Sequence, residues 1–260
     1  MRFTIFRTNK AGTGMSVQGV ECNTLIDSMV DDTTDKIVAA YRDIFLALEK
    51  PENWDRYNKI PRVCPVSEYY RNKAGETVWR GLTGVVMLEI RGINNSLELQ
   101  KAKNAVSVYP QVMAAFQGAD GYSLVVLTRA SLPNNALPTT EEAALAFLSK
   151  AYATSVMCLQ PTLEFPIDIK EPTLDATFLR TVDPEPYYNE NAVAYVQQAS
   201  TQTLPLKREG ARTLAESPLA NMKPGYETFA TFRKVFNACY HRALGVNRIF
   251  TDNDADEIIA

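Results

Sequence analysis

Two charged side chains, Glu89 and Arg91, stand at the end of an apolar run that begins at Gly84. The run is typical of a buried β-strand, and residues two apart in a strand share a face, so the two charges lie side by side. Charges at the end of a buried strand are costly to desolvate, so they tend to pair with each other or to mark a site. Two carboxylates here would indicate a two-metal site. A carboxylate beside a guanidinium leaves a strand-end ion pair and a changed site both open.

Two later segments also carry polar side chains close to glycine or proline. The first, 118–124, is a Gly-Ala-Asp-Gly turn followed by a strand, and taken alone it favours a plain hairpin turn. The second, 178–192, contains Arg180 and an Asp-Pro pair, and taken alone it favours a turn capped by Asp183. A functional meaning for either segment therefore depends on the order in which they follow the Glu89 strand.

Common catalytic motifs are absent from the chain. It has no GxxxxGK(S/T) phosphate loop, no GxGxxG, no GxSxG, no HExxH and no zinc-finger spacing. The single histidine, His241, excludes a histidine-rich metal site. The four cysteines lie far apart without CxxC spacing, which indicates buried free thiols in a reducing cytoplasm. These absences exclude the common nucleotide-hydrolase and protease mechanisms.

The composition is typical of a globular protein that buries a sizeable core. Of 260 residues, 46% are hydrophobic and 22% are charged, and the formal net charge of −3 provides no chain-wide basic surface for nucleic acid. No apolar stretch reaches the roughly 18 residues that span a bilayer, and the N-terminus lacks the apolar core of a signal peptide. We therefore expect a cytoplasmic protein that does not interact with membranes.

One region, 54–80, is locally basic and rich in aromatic residues. Positive charges interleaved with aromatic rings favour contact with single-stranded nucleic acid through charge and stacking. The alternative is a set of strands whose aromatic rings form core and whose charges are solvated. By contrast, 164–190 holds seven acids against two bases and is a poor face for a phosphate backbone. The candidate nucleic-acid-binding residues are Arg56, Lys59, Arg62, Arg71, Lys73 and Arg80.

The spacing of apolar residues and breakers predicts an α+β fold with a central mixed sheet flanked by helices. Around Glu89 the order is strand, helix, strand, tight turn, strand, so the first two strands should run parallel and the last two should form a hairpin. A polar linker at 198–222 is predicted to separate a domain at 1–197 from a C-terminal helical segment at 223–260, packed on the same domain. The predicted strands lie near 2–7, 84–91, 110–116, 122–128 and 175–183, with two extended pieces flanking a turn within 61–80, and the predicted helices near 23–30, 32–49, 94–106 and 139–157.

Five blocks of the chain, in this order, resemble the VirE N-terminal domain family of Bacteroidetes mobile elements, which is similar to archaeo-eukaryotic primases. The run TGVVMLEIR at 83–91 is similar to the family's tGlivlDiD, and GADGYSLVV at 118–126 is similar to its GaSGrSvKv. The other blocks lie at 59–67, 109–116 and 180–192. The resemblance covers roughly residues 2–197 and implies a primase-like core.

In primase-like enzymes the strand that corresponds to 84–91 supplies two carboxylates for divalent metal. The resemblance therefore implies Mg²⁺ or Mn²⁺ as the cofactor if this chain is active. Glu89 retains the first position. Arg91 stands at the second and cannot be a ligand because its guanidinium stays protonated. Asp183 is also retained. The resemblance therefore implies Glu89 and Asp183 as metal ligands and, with Arg91, as the residues at the catalytic position.

The block at 118–126 corresponds to the part of such enzymes that meets the nucleotide phosphates. Its basic positions are Tyr122 and Val125 here, and Asp120 replaces a serine and would repel phosphate. An acid has thus become basic and a basic position has become neutral, which argues for altered chemistry. The nucleotide-binding residues that the resemblance implies are Asp120, Tyr122, Ser123 and Arg180.

Three functions remain open from the sequence. The altered site favours a catalytically degenerate primase-like domain of a mobile-element replication protein, which needs no cofactor and binds single-stranded DNA or RNA, a helicase-like module or another replication protein. An active, divergent primase or polymerase would use Glu89 with Asp183 and Mg²⁺ or Mn²⁺. A protein-interaction domain that binds no nucleic acid is the third.

Overall fold

The computed structural model describes residues 1–8, 15–30, 37–46 and 60–197. All of them belong to one unit of the chain, Met1–Ala199. The predicted linker at 198–222 and the predicted helical segment at 223–260 lie outside the described residues, as do Arg56 and Lys59.

The described residues form eleven strands and four α-helices, which confirms the predicted α+β class. The strands are β1 (Arg2–Thr8), β2 (Met15–Glu21), β3 (Arg62–Cys64), β4 (Ser67–Arg71), β5 (Thr77–Leu82), β6 (Val85–Arg91), β7 (Val112–Gln117), β8 (Ser123–Ser131), β9 (Phe178–Leu179), β10 (Tyr187–Tyr188) and β11 (Tyr195–Val196). The helices are α1 (Cys22–Asp27), α2 (Ile37–Leu46), α3 (Ser96–Ser107) and α4 (Glu141–Leu159).

A five-stranded sheet contains the strand that carries Glu89. Its centre is β8, with β7 and β10 on one side, β6 on the other, and β11 in parallel beside the end of β8. Both β6 and β7 run antiparallel to β8, so they run parallel to each other, and β7 and β8 form the predicted hairpin. The sheet is therefore mixed, as predicted, with β8 between the two parallel strands.

A second sheet and a separate hairpin account for the remaining strands. The second sheet has the order β2-β1-β3-β9, and β4 and β5 pair only with each other. The turn between β4 and β5 is closed by the Gly75 N–H, which donates to Asn72 O at 3.0 Å, as predicted for this stretch. The strand predicted near 175–183 is shorter than expected, because only Phe178 and Leu179 pair with β3.

Two helices begin at side-chain caps, close to the starts that the sequence predicted. The Asn95 side chain accepts from the Glu98 N–H at the start of α3, and the Thr140 hydroxyl oxygen accepts from the Ala143 N–H at the start of α4. Both helices contribute to the core of the larger sheet. Among the described residues, none of the helices combines the length and the apolar character needed to cross a bilayer.

Alternating residues of β6 pack on opposite faces of the larger sheet. Leu88 and Ile90 join the core that includes α3 and α4. Val85 joins the core shared with Phe3 of the second sheet. Glu89 continues the face of Val85, at the end of the strand, so the sheet positions its carboxylate where the core gives way to a cavity.

Two of the cysteines are buried free thiols, as predicted. Cys22 and Cys64 are both inaccessible, and burial raises the pKa of each to about 11. Cys158 is free and partly exposed.

Candidate functional site

Strand β6 presents Glu89 and Arg91 on one face, as its pattern predicted. Their side chains are 22% and 57% exposed, whereas Leu88, which precedes Glu89, and Ile90, which lies between the two charges, are buried. Glu89 Oε1 lies 3.3 Å from Arg91 Nη2. The two residues therefore form an ion pair at the end of the strand.

The segment 166–168 lies along the open edge of β6. The Asp168 N–H donates to Glu89 O at 2.7 Å, and buried Ile167 forms an antiparallel bridge with buried Ile90. In this register Asp168 is the direct cross-strand neighbour of Glu89. A second carboxylate thus comes to the first from a distant part of the sequence.

Lys170 completes a group of four charged side chains. Its Nζ lies 2.5 Å from Glu89 Oε2 and 3.0 Å from Asp168 Oδ2. Arg91 Nε lies 2.9 Å from the same Asp168 oxygen. The Tyr152 hydroxyl accepts from the Lys170 N–H and donates to Asp168 O, which ties the segment to α4. We call Glu89, Arg91, Asp168 and Lys170 the Glu89 cluster; each of its cations contacts both of its carboxylates.

The two cations of the Glu89 cluster are held in their charged form. Burial lowers the pKa of Lys170, but hydrogen bonds to Glu89 and Asp168 and their negative charges outweigh burial and raise it above the ordinary 10.5. The same balance raises the pKa of Arg91. A divalent metal binds through carboxylate oxygens that are not already neutralised. As arranged, the Glu89 cluster does not fit a metal ion.

A cavity of about 480 Å³ opens at the Glu89 cluster. Its lining combines apolar side chains, among them Val125, Leu148 and Phe178, with Asp120 and the whole Glu89 cluster. Acidic side chains outnumber basic ones in this lining, so the cavity does not favour a phosphate group.

The predicted nucleotide-binding turn is closed by its own carboxylate. Asp120 Oδ1 accepts from the N–H groups of Tyr122 and Ser123 and, at 2.8 Å, from the Ser123 hydroxyl. Gly121 has φ +82°, a conformation that favours glycine. Asp120 lines the 480 Å³ cavity and also a second cavity, which Tyr122 lines as well. The structure thus gives Asp120 and Ser123 a role in fixing the turn.

Asp183 is a buried carboxylate that three hydrogen-bond donors surround with four contacts. Lys103 Nζ lies 2.8 Å from Oδ1 and 2.7 Å from Oδ2, and the N–H groups of Gln117 and Glu185 also donate to it. Asp183 lines a cavity of about 640 Å³ that does not include Glu89. The two predicted metal ligands are therefore not brought to one cavity, because Lys103 binds Asp183 elsewhere in the fold. No group of three or more His, Cys, Asp or Glu side chains in the described ranges is arranged to hold a metal ion.

Sequence reasoning did not single out Lys103. Its side chain is 5% exposed, and that of Asp183 is 2% exposed. The available signal was its place on α3 beside the apolar positions Leu99, Ala102 and Val106, all of them buried. A lysine on the apolar side of a helix needs an anionic partner, but the helix pattern does not say which one.

Arg42 of α2 is a second residue that the sequence did not indicate. Its guanidinium donates to Gly118 O at 3.2 Å and to Val182 O at 2.7 Å, with further bonds to Ala119 O and the Thr181 hydroxyl. It therefore joins the glycine-containing turn to the segment that carries Asp183. The predicted Arg180 is half-buried, and its N–H donates to Pro61 O at 2.7 Å.

The described part of the basic region lies largely on the β4–β5 hairpin. Arg71, Lys73 and Arg80 are exposed there, and Arg62 is exposed on β3. Arg80 lies 3.7 Å from Glu68, and Arg71 Nε donates to Gly75 O at 2.9 Å. Four of the six predicted nucleic-acid-binding residues thus lie on this hairpin and on β3. The other two, Arg56 and Lys59, are outside the described residues.

Residues 56–188 match the family described as BT4734-like, N-terminal domain, over slightly more than half of the chain. The chain belongs to this family. Neither the curated proteins nor the solved structures contain a significant match. The stretch that matches the BT4734-like family includes the Glu89 cluster, the Lys103–Asp183 pair and the β4–β5 hairpin. The description of the family names a domain and no activity.

Proposed function

We propose that this chain is a primase-like domain of a mobile-element replication protein that has lost nucleotidyl transfer and retains binding of single-stranded nucleic acid. The observation that carries the proposal is the arrangement of Arg91 and Lys170, each of which contacts both Glu89 and Asp168. On this proposal, the two side-chain cations stand where primase-like enzymes hold metal ions.

The loss of transfer follows from the charges of the Glu89 cluster. Two-metal transfer requires carboxylates that hold two divalent cations about 3.5–4 Å apart. Here Glu89 and Asp168 are balanced by two protonated bases whose pKa values are raised by the same carboxylates. A metal ion would have to displace both bases before it could bind.

Binding of a single strand is supported by the β4–β5 hairpin. Arg71, Lys73 and Arg80 supply exposed positive charge, and the Tyr70 side chain, 46% exposed, supplies an aromatic ring. Such a combination binds single strands through phosphate contacts and base stacking. The hairpin is therefore the surface on which we place the nucleic acid.

A second candidate function, an active and divergent primase, is favoured by Asp168. This residue restores a second carboxylate beside Glu89 that the strand pattern does not contain, so the acid pair would be Glu89 with Asp168 rather than with Asp183. Arg91 and Lys170 are 57% and 52% exposed, so their rotation toward water would have to precede metal binding.

A primer-synthesis assay with labelled nucleotides and Mn²⁺ separates the two candidates. We expect no product from the full chain on a single-stranded template. Synthesis that is abolished by Glu89→Gln and retained by Glu164→Gln, a matched change at an exposed acid, would establish the second candidate and contradict the first.

Titration of a labelled single-stranded oligonucleotide at two salt concentrations tests binding. We expect affinity to fall steeply with salt, since each neutralised phosphate contributes a slope of about 0.7. The triple variant Arg71→Gln, Lys73→Gln, Arg80→Gln should bind more weakly, whereas Lys101→Gln, at an exposed position of α3, should not. An absence of binding at low salt would leave the third function, protein interaction alone.

A further inference from the structure

An aromatic cavity of about 720 Å³ lies beside the β4–β5 hairpin and plays no part in the Glu89 cluster. We call it the aromatic cavity, and its rings are Phe6, Tyr69 and Trp79. We propose that it receives an unpaired nucleobase bearing an exocyclic amino group, such as cytosine, from a single strand whose backbone follows the hairpin. The inference rests on the proposed binding of single-stranded nucleic acid and names the base and the place.

Buried polar groups anchor the Trp79 ring and the backbone of Tyr69 in the aromatic cavity. Tyr69 and Trp79 are cross-strand partners, and the Phe6 and Tyr69 ring centroids lie 5.7 Å apart. The Trp79 indole N–H donates to Ser67 Oγ at 3.1 Å, and the Tyr69 N–H donates to Thr4 Oγ1 at 2.9 Å. Thr4 in turn donates to Ser67 O. Ser67 and Thr4 are fully buried, whereas Trp79 and Tyr69 are half-buried, so the indole is anchored at its N–H and both rings keep exposed surface on which a base can stack.

Two carboxylates line the same cavity and supply acceptors for an amino group. Glu141 stands in the first turn of α4, and Asp175 precedes β9. The pKa of the Tyr69 hydroxyl is raised first by burial, then by nearby Cys64, and then by the charges of Asp175 and Glu141, so both carboxylates lie close to this ring. The hydroxyl therefore stays protonated and remains a donor. A carboxylate accepts from the cytosine N4 amino group, whereas thymine and uracil present a carbonyl oxygen at that edge. The two carboxylates therefore favour a base with an amino group over thymine and uracil.

The charges around the aromatic cavity favour different positions for the base and for the phosphates of a bound single strand. Glu141 and Asp175 outweigh Arg62 within the lining, so a phosphate is repelled from the interior. The positive charges of the hairpin, Arg71 and Lys73, do not line the cavity and are exposed. A single strand meets both requirements at once by inserting a base and leaving its phosphates on the hairpin.

Binding of oligo-dC and oligo-dT of equal length to the full chain tests the inference. We expect oligo-dC to bind about fivefold or more tightly, as one charge-assisted base contact allows. The double variant Glu141→Gln, Asp175→Asn should remove that preference, whereas Glu142→Gln, the neighbouring exposed acid on α4, should keep it. Trp79→Leu should weaken oligo-dC binding by roughly tenfold, since stacking is lost.

Quenching of tryptophan fluorescence by free nucleosides tests base binding in the absence of a phosphate backbone. In Trp54→Phe protein Trp79 is the remaining tryptophan, so free cytidine should quench its emission at concentrations where thymidine does not. Equal affinity for oligo-dC and oligo-dT, together with equal effects of the two nucleosides, would overturn the base pocket and leave the proposed function standing. Absence of binding to either oligonucleotide would overturn both.

Discussion

The Lys103–Asp183 pair and the Glu89 cluster both join opposite charges from distant parts of the chain, yet their surroundings differ. In the pair, the side chains are 5% and 2% exposed, and two backbone N–H groups complete the contacts of the carboxylate. In the Glu89 cluster, Arg91 and Lys170 are more than half exposed. The first group has been removed from water, whereas the second is still solvated on one side.

This difference separates a structural contact from an adaptable one. A buried charge that loses its partner keeps the full cost of desolvation, so the Lys103–Asp183 pair must stay intact for the fold. A half-exposed ion pair gains little net stability, because water competes for the same charges. Substitutions in the Glu89 cluster should therefore cost the fold little.

The largest expected effect is that of Lys103→Met. Removing the ammonium leaves Asp183 charged and buried, so the free energy of unfolding should fall by about 3–5 kcal/mol. Urea denaturation measures the change. Lys101→Met, at an exposed position of the same helix, should alter it by less than about 0.5 kcal/mol. Equal losses in the two variants would contradict the comparison.

A smaller effect is expected from Arg91→Asp, which places a third carboxylate in the Glu89 cluster. The free energy of unfolding should fall by about 1 kcal/mol because like charges now face each other. If the cluster is a former metal site, calorimetry should detect Mn²⁺ binding to this variant and no heat with Arg80→Asp, which removes a different exposed ion pair. A lower melting temperature without a Mn²⁺ signal would count against a former metal site.

The smallest effect is expected from Lys170→Met and depends on pH. Burial lowers the pKa of Lys170, but the hydrogen bonds and charges of Glu89 and Asp168 raise it above 10.5 in the folded chain. A raised pKa stabilises the fold below the ordinary value, and this contribution is lost as pH rises through the folded value. The stability difference between the native chain and Lys170→Met should therefore be present at neutral pH and shrink above pH 10.5. Urea denaturation at several pH values checks this, and a difference that grows with pH would refute it.

Much of the larger sheet could be predicted because its signals are local. The alternation in β6, the caps at Asn95 and Thr140, and the turn between β7 and β8 each involve neighbours in sequence. The pairing of Glu89 with Asp183 as metal ligands was an expectation of the resemblance, and the structure places these residues in different cavities. Local patterns carry no information about which of several acids reaches Glu89.

That Glu89 and Arg91 share one face of a strand follows from the residue pattern, because side chains alternate along an extended backbone. Their partners, in contrast, depend on how distant segments pack together. Asp168 and Lys170 reach them through backbone hydrogen bonds along an edge of β6, in a segment that forms only an isolated bridge with this strand. Lys103 and Asp183 meet because both are buried and each charge needs its opposite. Contacts of this kind depend on how the sheet packs, which no short stretch of sequence specifies.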